Sequence, residues 1–162
     1  MLVLSVAAVV PVGAQEKIST IAIGYSLAVY LETGGGVAPF GISLSASSAT
    51  HRLSASSATH RIGFEGDFAF HRDEGLRTVT AAAGPRWENR GVMASPFVHV
   101  MLLLRHDTFP GASNASGGTM VGFGADMGRG EGARLRLAMD AQLLFRSGQF
   151  FEVLRWTAGV AF

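Results

Sequence analysis

The sequence predicts an all-β fold: an eight-stranded antiparallel up-and-down barrel whose strands cross a membrane. Three observations predict it: an apolar composition without an apolar helix, eight segments of period-two alternation, and an alternating last segment that ends on an aromatic residue. Apolar residues make up 48% of the 162 residues and charged residues only 15%, against about 25% charged residues in an average soluble domain. No run of about 20 apolar residues exists to span a bilayer as a helix, and the longest mid-chain apolar run, Phe97 to Leu104, contains His99. A lipid-facing chain without such a helix must close its strands on themselves, because in hydrocarbon every backbone N–H and C=O needs an internal partner.

Met1 to Ala14, MLVLSVAAVVPVGA, is apolar and ends in small residues. It has the pattern of a secretory signal peptide cleaved before Gln15, although no basic residue leads into it; a buried N-terminal strand is the competing reading. Residues 15–162 then form the barrel domain. The first alternating segment, Ser19 to Leu31, sets Ile21, Ile23, Tyr25, Leu27, Val29 and Leu31 against Thr20, Ala22, Gly24, Ser26, Ala28 and Tyr30. In the second, Phe40, Ile42, Leu44 and Ala46 alternate with Gly41, Ser43, Ser45 and Ser47; in the third, Ile62, Phe64, Phe68 and Phe70 alternate with Gly63, Glu65, Asp67, Ala69 and His71. The fourth sets Val79, Ala81, Ala83 and Trp87 against Thr78, Thr80, Gly84 and Arg86, and the fifth sets Val98, Val100, Leu102 and Leu104 against His99, Met101 and Arg105.

The sixth segment places Val121, Phe123, Ala125 and Met127 opposite Gly122, Gly124, Asp126 and Gly128. The seventh places Leu135, Leu137, Met139, Ala141, Leu143 and Phe145 opposite Arg134, Arg136, Asp140, Gln142 and Arg146. The last runs Leu154, Trp156, Ala158, Val160 and Phe162 against Arg155, Thr157, Gly159 and Ala161. These lengths suit tilted membrane strands. A soluble lipocalin-like barrel or a sandwich would also alternate, but its outer face would be rich in lysine and glutamate. Here the polar face is Gly, Ser, Thr and Ala with isolated charges, which suits a narrow barrel interior, so the polar faces are expected to point inward.

Connections expected outside the cell are 32–39, His71 to Gly75, Asp107 to Gly118 (the longest and most mobile) and Ser147-Gly148. Glu88 to Gly91 and Arg129 to Gly132 are expected as short turns on the other side. Leu44 to Arg52 recurs unchanged as Leu53 to Arg61. Because the repeat length is odd, one continuous strand would place Leu44 and Leu53 on opposite faces. One copy should therefore lengthen the turn between the second and third strands or form a protruding hairpin; a recent tandem duplication, or an assembly error in the source sequence, is the simplest account of the repeat.

A formal net charge of +1 carries no basic stripe for nucleic acid. The absence of cysteine excludes disulfides, thiolate metal sites and cysteine nucleophiles. Histidines 51, 60, 71, 99 and 106 show no metal-ligand spacing; His99 reads as an inward residue, His71 and His106 as residues near the outer rim. No Gly-x-Ser-x-Gly elbow marks a hydrolase. Gly122-Phe-Gly124 and Gly128-Arg-Gly130 have no following helix that would make a nucleotide loop. No catalytic, cofactor or metal residue is nominated, and no cofactor is expected. Asn114-Ala-Ser116 matches a glycosylation acceptor pattern with no role in this reading. The inward face does carry Glu65, Asp67, Asp126 and Asp140 with Arg86, Arg105, Arg134, Arg136, Arg146 and Arg155. Buried charges of opposite sign pair, since an unpaired one is costly. They read either as a salt-bridged filling of the interior or as the gate of a small pore.

Taken in order, Gly24-Tyr25, Gly63-Phe-Glu-Gly-Asp67, Gly84-Pro-Arg86, Pro96-Phe-Val-His99, Gly122-Phe-Gly-Ala-Asp126 and the Arg-rich seventh segment, with the Phe-terminated last one, carry a family likeness. Together they resemble the bacterial outer-membrane β-barrel domain family related to OmpA/OmpX-type barrels, over nearly all of Gln15 to Phe162. The resemblance implies location in the bacterial outer membrane and lipid as the surrounding partner. It also implies a terminal segment, with Trp156 and Phe162, that the barrel-assembly machinery reads. The family shares no catalytic residues, so the expected role is a non-enzymatic monomeric barrel serving envelope integrity, adhesion or small-scale permeation. The alternative is a soluble periplasmic barrel binding a small apolar ligand.

Overall fold

The computed structural model describes residues 18–31, 39–52, 60–129 and 132–162. The strands are β1 (Ile18–Tyr30), β2 (Phe40–Arg52), β3 (His60–Asp73), β4 (Leu76–Asn89), β5 (Ala94–Phe109), β6 (Ala112–Met127), β7 (Arg134–Arg146) and β8 (Gln149–Ala161). Each pairs antiparallel with its sequence neighbour, and β8 returns to β1 to close the barrel. At the seam Gly24 faces Gly159, and the Phe162 N–H donates to the Ile21 carbonyl at 2.8 Å. Closure leaves no open edge over the paired region, which is what a strand structure needs in lipid.

Alternation sets the two faces as the sequence predicts. Ile23, Tyr25, Phe64, Leu102, Leu104, Phe123 and Trp156 are exposed, each by about half or more. Ser26, Ser43, Ser45, Glu65, Thr80, Arg86, His99, Asp126, Arg136, Asp140 and Arg155 are buried. Large apolar side chains outside and polar ones inside reverse the plan of a soluble ligand-binding barrel, so the lipocalin-like alternative fails. Water would solvate the apolar belt badly; hydrocarbon would not.

Three connections are tight: Glu74-Gly75 joins β3 to β4, Pro110-Gly111 joins β5 to β6, and Ser147-Gly148 joins β7 to β8. The last holds φ 51° at Ser147 and 86° at Gly148, the two positive values of a type I′ turn that matches strand twist. The expectation of a long mobile loop from Asp107 to Gly118 is overturned. Its residues continue β5 and β6 in unbroken register, Asp107 opposite Asn114 and Phe109 opposite Ala112. Ser, Asn and Gly are poor strand formers in isolation, but pairing against a neighbouring strand outweighs propensity; Pro110 followed by Gly111 at φ 79° then turns the chain.

The first copy of the repeat lies within β2, with Leu44 outward and a register shift between Ala49 and His51. Most of the second copy, 53–59, lies outside the described residues, as do the N-terminal segment 1–17, the 32–38 connection and residues 130–131.

Candidate functional site in the barrel interior

The interior charges come from strands whose inward positions are otherwise small, so long side chains can reach across the barrel. Arg136 on β7 grips Asp126 on β6 with both ends of its guanidinium, Nε–Oδ1 2.6 Å and Nη2–Oδ2 2.7 Å, the fork geometry that makes Arg–carboxylate pairs strong. Its Nη1 also donates to Ser45 Oγ on β2 at 2.7 Å and lies 3.4 Å from Glu65 Oε1 on β3. Arg86 on β4 joins Glu65 at 3.1 Å and Asp126 at 3.4 Å. The Phe97 ring lies under both guanidiniums, 3.8 Å from Arg86 and 5.0 Å from Arg136, a cation–π contact that covers their faces.

His99 on β5 extends this cluster. Its Nδ1 lies 3.0 Å from Glu65 Oε2 and its Nε2 2.9 Å from Asp140 Oδ1 on β7. Both contacts are hydrogen bonds only when each ring nitrogen carries a hydrogen. Arg155 on β8 then bridges Asp140, at 2.7 Å and 2.8 Å, to Asp67 on β3 at 2.6 Å. One connected set of ion pairs thus ties β3, β4, β5, β6, β7 and β8 together, with β2 joined through Ser45. Glu88 adds Arg86 at 3.5 Å and Arg90 at 2.7 Å toward the end that carries Phe162. The space left among these groups is about 20 Å³, roughly one water-sized sphere.

Next to the charged layer, toward the β5–β6 turn, lies an apolar one. Ala28, Ala82, Met101, Leu103, Met120, Leu144, Phe151 and Val153 form a single buried cluster with Tyr30 against it. A second polar group follows. Arg105 pairs with Asp107 at 2.9 Å, Thr78 donates to Asp107 at 2.7 Å, and Arg105 stacks 4.7 Å over Tyr30.

Of the charged residues the sequence singles out, Glu65, Asp67, Arg86, Asp126, Arg136, Asp140 and Arg155 meet in the first cluster. Arg105 belongs to the second, across the apolar layer, and Arg134 reaches Ser95 Oγ at 3.4 Å. Trp156 and Phe162 are exposed on the outside. Glu88, Ser45, Phe97 and the Thr78–Asp107 contact escape sequence reasoning; Asp107 does so because its neighbours have the composition of a loop. His71, two residues from the outer end of β3, is buried on the inward face with its Nε2 2.8 Å from Ser26 Oγ. Both residues sit at inward positions, but β1 and β3 are not adjacent strands, so alternation alone cannot bring them together. Among the described residues His71 Nδ1 has no hydrogen-bond partner. Among the described residues no three acidic or histidine side chains are grouped to hold a metal ion.

No protein-family model and no curated protein matches the chain. Solved structures do. Neisserial surface protein A matches with a TM-score of 0.64 at 13% identity, covering 88% of this chain and 94% of that one. Ail, the attachment invasion locus protein of Yersinia pestis, in complex with the heparin analogue sucrose octasulfate, matches at 0.57 and 16% identity over 88% and 97%. The N-terminal β-barrel domain of Pseudomonas aeruginosa OprF matches at 0.55 and 12% identity over 90% and 98%. With its eight-stranded closure, apolar belt and polar interior, the chain has the fold of the small outer-membrane β-barrels.

Proposed function

We propose that the chain is a non-enzymatic, monomeric barrel of the bacterial outer membrane whose role is structural, with an interior closed to solutes. Export uses the segment 1–14 as a signal peptide, and the assembly machinery reads the terminal strand with Trp156 and Phe162. The observation that carries this reading is an ion-pair network across the barrel with an apolar layer beside it and space for about one water between the charges. A pore needs a continuous wet path. The turns at 74–75, 110–111 and 147–148 are short, which favours an envelope role over adhesion through long loops.

Planar-bilayer recording of the purified barrel tests the closure: an absence of channel events is expected, and regular single-channel steps would refute it. Cell fractionation with heat-modifiable gel mobility tests the location. Recovery as a soluble protein without detergent would sink the membrane assignment.

A further inference from the structure

Among the strand residues whose side chains are described, the outward-facing positions are nearly free of charge; Arg72, Arg77 and Glu152 carry what there is. Arg72 on β3 and Arg77 on β4 are direct cross-strand partners, both exposed, beside the Glu74-Gly75 turn. Like charges directly opposite in an antiparallel pair repel, and no ion pair or hydrogen bond joins either guanidinium to another described side chain. Asp73, whose Oδ1 accepts the turn N–H of Glu74 at 2.7 Å, lines the same cleft and brings one negative charge beside the two positive ones. The two arginines, with Asp73, Gly75, Thr108, Phe109 and Pro110, line a cleft of about 250 Å³.

Below them the register makes an apolar track. Phe70 faces Val79, Phe68 faces Ala81 and Gly66 faces Ala83; on the other side Ala81 faces Leu104 and Ala83 faces Leu102. The outward residues Val79, Ala81 and Ala83 of β4 thus lie between phenylalanines on β3 and His106, Leu104 and Leu102 on β5, a trough of smaller, mostly apolar residues leading to the two guanidiniums. We propose that Arg72 and Arg77 bind the anionic phosphate headgroup of a membrane lipid whose acyl chain lies along β4. Arginine forks match phosphate oxygens, and the ligand's charge relieves the repulsion between them. This assignment rests on the barrel's residence in a membrane.

The test uses the full barrel in neutral detergent, with heat-modifiable mobility confirming in each sample that it is folded. Binding of short-chain phosphatidic acid, short-chain phosphatidylcholine and inorganic phosphate is measured by titration, for the native chain, for R72Q/R77Q and for the distant control E152Q. Phosphatidic acid should bind about tenfold or more tighter than phosphatidylcholine, and R72Q/R77Q should lose about 30-fold while E152Q loses nothing, from roughly 1 kcal/mol for each arginine near a charged lipid surface. Equal binding by R72Q/R77Q and the native chain would overturn the site. Inorganic phosphate binding as tightly as phosphatidic acid would overturn the acyl trough and leave only an anion site. A sample soluble without detergent, lacking heat-modifiable mobility, would instead count against the membrane assignment.

Discussion

His99 and Asp140 meet over a strand that lies between them. His99 is on β5 and Asp140 on β7, yet Nε2 and Oδ1 are 2.9 Å apart. On the intervening β6, Gly122 is the register partner of both. A Cβ at Gly122 would run into Asp140 Oδ1 and His99 Nε2 themselves. The absent side chain is what lets the contact form.

Gly122→Ala should therefore break the His99–Asp140 contact and leave buried charge unpaired, costing about 3–5 kcal/mol. Urea unfolding in phospholipid vesicles, followed by gel mobility, reads the loss. Gly66→Ala is the control, since nothing lies within 4 Å of its added Cβ, and its midpoint should not fall. An unchanged midpoint for Gly122→Ala would show that the network yields without cost.

The interior holds three barriers in series: the charged network, the apolar layer of Met101, Leu103, Met120, Leu144 and Val153, and the Arg105–Asp107 group. Neutralising the first alone should not open the barrel, so Glu65→Ala with Arg136→Ala is expected to stay silent in a planar bilayer. Adding Met101→Ala, Met120→Ala and Arg105→Ala thins the other two barriers and should produce small conductance steps. It should also lower stability, by about 2–5 kcal/mol for each methionine truncation. Channel activity in the charge variant by itself would mean that the apolar layer is no barrier.

Phe162 is exposed, and its backbone is hydrogen-bonded to Ile21 in both directions, at 2.8 Å and 3.2 Å. If its ring acts as an assembly signal, Phe162→Ala should cut the yield of membrane-inserted barrel in cells while refolding in detergent proceeds as before. The backbone bonds at the seam survive that substitution, which separates recognition from stability. Equal loss in both settings would make Phe162 a packing residue only.

Within the eight strands, which residues face lipid and which face inward was legible from period-two alternation alone, because a strand's side chains must alternate. Ile21, Ile23 and Tyr25 could be assigned outward, and Glu65, Arg86 and Arg136 inward, without any knowledge of partners. Asp107 to Gly118 has the composition of a loop, and only the facing strand supplies the hydrogen bonds that make it β5 and β6. Arg72 and Arg77 were visible as residues but not as a pair, since the short Glu74-Gly75 turn sets their register.

The sequence by itself determined the number of strands, their polarity inside and out, and the closed form, each following from alternation and from the need to pair every backbone group in lipid. The tertiary structure alone decided which interior charges meet. Contacts such as His99–Asp140, Arg155–Asp67 and Ser26–His71 join strands that are not neighbours. They depend on register and on closure into a cylinder narrow enough for long side chains to cross, and no local pattern in the chain records either.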